Sequence, residues 1–269
     1  MSELINDDYE AVPPQTGEQP RPWRVIGAAV QGLSHQRADL PCQDAQGHRK
    51  LPDGSLLVAV ADGAGSAARS DEGAQAAVQA ALDWLTEGLA GEGPLDELDK
   101  IELLLGAFEE ARQVLLTLAE EAGEPLRLFA TTLSLAVIRE NRLMVGQIGD
   151  GVVVGKTTGE ELFVASPQQR GEYANETYFL SQEDALEHVD IQLFEQEIEA
   201  LAVMSDGLSR LALRLPSQEP HAPFFGPLFA FLNSVECEAE GDEKLAAFLG
   251  SERICARTDD DKALVLAAR

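Results

Sequence analysis

Between Leu128 and Ser166 the hydrophobic pattern changes period: LFATTLSLAVI, NRLMVGQIGD, GVVVGKTTG and EELFVAS are short apolar runs separated by tight turns. Parallel strands need a crossover of a dozen or more residues, and connections this short leave room only for an antiparallel meander. Upstream, WRVIGAAVQG and GSLLVAVAD read as two further strands, with LPDG as a hairpin-type turn between them. Ser70 to Leu89 and Leu95 to Ala122 carry apolar residues at helical spacing, with Ser70 as the cap of the first. Beyond the meander, SPQQRGEYANETYFLSQEDALEH is a long polar loop and DIQLFEQEIEALAVMSD returns to strands. Pro223 to Val235 and Asp242 to Leu249 read as short helices, and KALVLAAR closes the chain as a strand. This order gives an α+β fold with helices packed on antiparallel sheets.

With 269 residues and 45% hydrophobic content, the chain can bury one large core, and residues 23 to 269 are expected to form one domain. Residues 1 to 22, with Pro13, Pro14, Pro20 and Pro22 among polar residues, read as a flexible tail. A net charge of -27 and a pI near 4.3 argue against nucleic acid and against anionic membranes, because either partner would repel such a surface. Much of that charge, for example Glu87, Asp96, Glu97 and Glu102, reads as a solvated surface that keeps a protein soluble. The apolar runs are less than half the length needed to span a bilayer, and MSELINDDYE lacks the pattern of a signal peptide, so the expectation is a cytoplasmic protein, monomeric at 28.9 kDa. Cys42, Cys237 and Cys255 are widely spaced, without CxxC, and read as idle thiols.

Four aspartates stand where a predicted strand runs into a turn: Asp62 in VAVADGAGSA, Asp150 in VGQIGDG, Asp206 in LAVMSDG and Asp260 in RTDDDKALVL. A buried strand fixes the carboxylate at its end, and Gly after it lets a turn and a ligand approach the backbone. Convergent carboxylates without a His partner suit Mg²⁺ or Mn²⁺ better than Zn²⁺. His35, His48, His188 and His221 show no metal-ligand spacing. Asp53-Gly54 is a control, an Asp-Gly pair on a polar turn with no chemistry attached.

Taken in order, QDA, ADGAGSA, ATTLSLAVI with QIGDG, MSDG and DDKALVL resemble the motifs of the metal-dependent type 2C (PPM) serine/threonine protein phosphatases over residues 23 to 269. The His35 and Cys42-Gln43-Asp44 pattern and the Gly171 to Thr177 loop GEYANET are similar to the divergent bacterial branch of that family. The resemblance implies a four-layer αββα fold, a sandwich of two antiparallel sheets flanked by helix pairs, with a two-metal centre at one end. It implies that Asp62 bridges two Mg²⁺ or Mn²⁺ ions, that Asp206 and Asp260 complete the first and that the Gly63 carbonyl binds the second. It further implies that Asp44 orients the attacking water and that Asp150, with Asp206, helps hold a third, weaker ion. The assignment of Asp260 rests on aligning DDKALVL to the family's D-N-x-T pattern, with Asp259 and Asp261 as its neighbours.

The chain departs from the family where a phosphate-binding Arg is usual, since position 39 is Asp, and where Gln43 replaces a Glu. Arg37 is the candidate phosphate clamp, against an ordinary solvated charge; His35 is a candidate proton donor to the leaving oxygen, against a structural hydrogen bond. Ser66 and Arg69 read as caps of the next helix, and Thr131 and Thr132 as a family T-T step or ordinary β-branched strand positions. For Glu172, Asn175 and Thr177, ordering a turn stands beside contacting substrate. The expected activity is hydrolysis of phosphoserine or phosphothreonine in a phosphorylated protein partner, opposing a serine/threonine kinase. The alternatives are a pseudophosphatase that binds without turnover and a metal-dependent hydrolase of a small phosphoester.

Overall fold

The computed structural model, which describes residues 21–91, 93–166, 168–169 and 177–269, starts with strand β1 (Arg24–Val30), a short helix α1 (Leu33–Ala38) and the strands β2 (Asp44–Lys50) and β3 (Leu56–Asp62). Two long helices follow, α2 (Ser70–Gly88) and α3 (Glu97–Ala122). Next come β4 (Leu133–Arg139), β5 (Arg142–Ile148), β6 (Val152–Thr157), β7 (Leu162–Ser166) and the long β8 (Asp190–Met204). The chain then forms α4 (Ser209–Ala212), the two-residue strands β9 (Leu213–Arg214) and β10 (Glu219–Pro220), and helices α5 (Ala222–Ser234), α6 (Glu238–Leu249) and α7 (Glu252–Cys255). Strand β11 (Lys262–Ala268) ends it.

Every strand pairing is antiparallel. One layer runs β2-β3-β4-β5 and ends on the first part of β8; the other runs β1-β11, the second part of β8, β6 and β7. Side chains alternate across a strand, so a strand buried on both faces feeds two cores. In β3, Leu56, Val58 and Val60 face the space between the layers with Val265 and Ala267 of β11, while Leu57, Ala59 and Ala61 pack under α2 and α3 with Phe108 and Phe129. In β11 the alternate residues Leu264 and Leu266 join Phe225 and Leu232 beneath α5 and α6. Three apolar cores therefore separate four layers, helices, sheet, sheet and helices, and each fully buried Leu or Phe contributes about 1.5–3 kcal/mol by leaving water.

Several sequence expectations are corrected. The strand β2 and helix α1 lie between the two strands that LPDG was expected to join, so that turn links β2 to β3. DIQLFEQEIEALAVM is one continuous strand of 15 residues. Ser70 is a buried first residue of α2 whose hydroxyl donates to the Ala67 carbonyl (3.0 Å), and neither it nor the N-cap residue Arg69 makes a side-chain cap bond. Arg69 instead pairs with Glu72 and lies over the Phe129 ring. The expected helix from Leu95 starts at Glu97, because Asp96 and Asp99 form a reciprocal capping box there. The expected N-terminal tail, up to residue 20, and most of the GEYANET loop fall outside the described residues.

Candidate active site

The strand ends decide which carboxylates meet. Asp44 opens β2 and Asp62 closes β3, and in the antiparallel register these two residues face one another. Asp150 follows β5, Asp206 follows β8 and Asp260 precedes β11. All five line one cleft of about 190 Å³, together with His35, Gly63 and Asp261, and among the described residues lining it there is no Lys or Arg. The control pair Asp53-Gly54 sits at the opposite end of the β2-β3 hairpin, where Ser55 donates to both Asp53 carboxylate oxygens (2.9 Å each).

Like charges directly opposite in a sheet are destabilising, so the cleft is held together by its supports. The Asp62 peptide is clamped by Thr131 and Thr132: the Thr131 hydroxyl and the Thr132 amide donate to its carbonyl (3.0 and 2.9 Å), and its amide donates to the Thr132 hydroxyl (3.0 Å). Ser205 donates to Asp44 Oδ2 (2.6 Å) and accepts from the Ala263 amide (2.9 Å), tying β2 to β11. Asp150 Oδ2 accepts from Thr177 (2.7 Å), the one residue of GEYANET within the described chain. Close approach also constrains the turns. A Cβ at Gly63 would lie 2.6 Å from the Gln43 carbonyl oxygen, and one at Gly207 would lie 2.0 Å from that of Asp261.

The neighbours Asp260 and Asp261 differ in what they hold. Asp261 is 3% exposed, and its carboxylate accepts from the Gly32 amide (2.6 Å), the Gln43 amide (2.5 Å) and His35 Nδ1 (2.8 Å). Its oxygens are occupied in binding α1 and the start of β2. Asp260 is exposed to the cleft and accepts a single side-chain bond, from the Asp261 amide (2.9 Å). Lys262, fully buried, donates to the Asp260 carbonyl (2.8 Å) and so fixes its backbone. Of the two, Asp260, the residue the alignment chose, is the one whose carboxylate is open to the cleft.

His35 is in the cleft, with Nδ1 on Asp261 and Nε2 toward the Gly65 turn, where a Cβ would lie 4.0 Å away. Arg37 is exposed on α1 and is not among the residues lining the cleft. Asp39, at the usual Arg position, is exposed and caps α1 in the left-handed conformation (φ 54°). Gln43 is buried, and its Oε1 has no hydrogen-bond partner among the described residues. Cys42 is idle: burial first, then Asp261 and Asp44, pushes its thiol up to about 12.

Burial pushes all four of Asp44, Asp62, Asp150 and Asp206 above the ordinary carboxylate range. Neighbouring carboxylates add to the rise, and for Asp44 the Ser205 hydroxyl opposes it. Asp206 is pushed up to about 6. For Asp62, the nearby carboxylates of Asp44 and Asp206 add to the rise. Among the described residues, no three His, Cys, Asp or Glu side chains close on one ion position as they stand. The donor set nonetheless fits a hard divalent cation: its candidate ligands are oxygen-only and over-rich in carboxylate, and Arg210, which acts on Asp206, and Lys262, on the Asp260 carbonyl, are not among the described residues lining the cleft.

Sequence reasoning found the five aspartates and took Asp261, with Asp259, as a neighbour standing behind Asp260; it missed Ser205 and Lys262 as supports. Ser205, Asp261 and Lys262 lie beside the motif aspartates, in MSDG and DDK, but their partners are up to 229 residues away in the chain.

Residues 31–250 match the family model for protein phosphatase 2C. The chain is 37% identical over 252 residues to serine/threonine-protein phosphatase 3 of Escherichia coli (strain K12), covering 91% of this chain and 98% of that one. In fold it is similar to the serine/threonine phosphatase Stp1 from Staphylococcus aureus (TM-score 0.60, 16% identity, 96% of this chain and 99% of that chain). It is also similar to the catalytic domain of the serine/threonine protein phosphatase PstP in complex with two manganese ions (TM-score 0.58, 18% identity, 91% and 97%). The four-layer sandwich, the carboxylate cleft at the strand ends and these matches agree: the chain belongs to the protein phosphatase 2C family, a family of hydrolases.

Proposed function

We propose that the protein is a Mg²⁺- or Mn²⁺-dependent phosphatase acting on phosphoserine or phosphothreonine in a protein partner, opposing a serine/threonine kinase. The observation that carries this reading is the convergence of Asp44, Asp62, Asp150, Asp206 and Asp260 from five chain segments on one cleft, with no Lys or Arg among the described residues that line it. Asp62, Asp206, Asp260 and the Gly63 carbonyl are the groups for two divalent ions, and Asp150 with Asp206 for a weaker third. When bound, the ions supply the positive charge that cancels a phosphate dianion and acidifies the attacking water.

The chain's own residues do the rest. Asp44, held by Ser205, orients the water and accepts its proton. His35, its ring set by Asp261, presents Nε2 to the leaving oxygen and donates a proton there. Among the described residues lining the cleft there is no Arg, so of these phosphate binding would fall to His35 beside the cations.

The test is phosphate release from a phosphothreonine peptide with EDTA, Mg²⁺ and Mn²⁺ in parallel, with Asp62→Ala as the blank. Metal-dependent turnover that falls at least about a hundredfold in Asp62→Ala is expected; comparable turnover in EDTA or in the variant would overturn the reading. Asp39 in place of Arg and the unpartnered Gln43 Oε1 favour a second reading, a phosphoprotein-binding module without turnover. Metal binding and phosphopeptide binding with no phosphate release would select it.

A further inference from the structure

Another cavity of the described chain lies away from the carboxylates. It measures about 490 Å³ and opens to solvent between α4, α5, α6 and α7. Its origin is in the packing of the two helix layers. Helices α2 and α3 lie along one another, whereas α5 and α6 each pack on β1 or β11 and hardly touch each other, leaving a wedge above the sheet. Pro227, inside α5, is one of the residues lining it.

The lining combines two chemistries. Phe224, Phe231 and Phe248, all half-buried, form an aromatic wall with Leu228, Leu245 and Ile254 behind it. Around that wall stand Arg210, Lys244, Arg253 and Arg257, with no Asp or Glu in the lining. The chain has 47 acidic residues against 20 Lys and Arg, so four cations and no carboxylate around one apolar cavity is a local inversion of the protein's charge. Lys244 is engaged by Glu240 (2.7 Å), while no ion pair is found for Arg210, Arg253 or Arg257 among the described residues. A cavity of this volume with an apolar body and a few convergent polar groups has the form of a small-molecule site.

We propose that this cavity binds an amphipathic anion, a molecule with an apolar chain or ring body and a carboxylate-type head, the body against the three phenylalanines and the head on Arg253 and Arg257. The excess of guanidinium groups over carboxylates selects the anionic head. The aromatic wall and the open mouth select an apolar body that enters from solvent.

Decanoate below its micellar concentration, titrated calorimetrically into the full chain, tests this, with decyltrimethylammonium as the cationic counterpart. Saturable one-to-one binding of decanoate and none of the cation is expected. Arg253→Glu with Arg257→Glu should weaken it about tenfold or more. Leu245→Trp, which fills the cavity without changing charge, should abolish it, and an unchanged thermal midpoint shows that each variant is folded. Absence of saturable decanoate binding, equal binding of the cationic chain, or affinity unchanged in folded Arg253→Glu/Arg257→Glu would overturn the proposal.

Discussion

At the residue scale the cleft trades stability for chemistry. Asp44 and Asp62 face one another across β2 and β3, both forced by burial and by neighbouring carboxylates to resist ionisation. Asp62→Asn keeps the shape and removes one of the competing charges, so the metal-free variant at pH 8 should melt several degrees above the native chain while losing its phosphatase activity. A lower midpoint would show that Asp62 is held by interactions more favourable than its burial suggests. Asp206 sets a pH window. Its folded value of about 6 lies above the ordinary 3.8, so the folded state holds the extra proton between them. The metal-free protein therefore loses stability as pH rises from about 4 to about 6, and Asp206→Asn should flatten that slope in denaturant titrations across the window.

At the scale of elements, supports reach the site from strands distant in sequence. Ser205, just past β8, joins Asp44 of β2 to the Ala263 amide of β11. Ser205→Ala leaves that buried amide unsatisfied and removes the bond that holds Asp44 down, costing about 1–3 kcal/mol and moving the acidic limb of the pH–rate profile upward. An unchanged profile would assign Ser205 to packing alone. Such supports explain what was legible in the sequence. The meander, α2 and α3 were legible, because period two over the apolar runs and period 3.6 over the long helices survive without tertiary context. Strand β2, DAQGHRK, was not, since it is polar after its first two residues and exists by pairing with β3. Helix α1 buries no residue and is held by Asp261 and the Asp259 carbonyl, so no apolar stripe announces it. The aspartates were readable because Asp-Gly after an apolar run marks a strand end. Choosing Asp260 over Asp261 became a physical statement only once the three donors on Asp261 were located.

At the scale of the whole molecule, a formal charge of -27 opposes compaction. Sodium chloride should raise the thermal midpoint gradually by screening. Millimolar Mg²⁺ or Mn²⁺ should raise it further at matched ionic strength, and this extra rise should vanish in Asp62→Ala with Asp206→Ala. If divalent and monovalent salts act alike at matched ionic strength, the carboxylate cleft binds no ion of its own. The described residues contain no helix long and apolar enough to cross a membrane.

Strand β8 belongs to both sheets, its first part paired with β5 and its second with β11 and β6. A single unbroken backbone therefore stitches the two layers together, and neither can peel away or swing on a hinge without tearing rungs from the other. The sandwich should melt as one unit, and slow amide exchange should run without interruption through the middle of that strand. A frame so cross-braced has no jaw to close on a substrate, so any adaptation to different phosphoproteins must be made by the segments that rim the cleft.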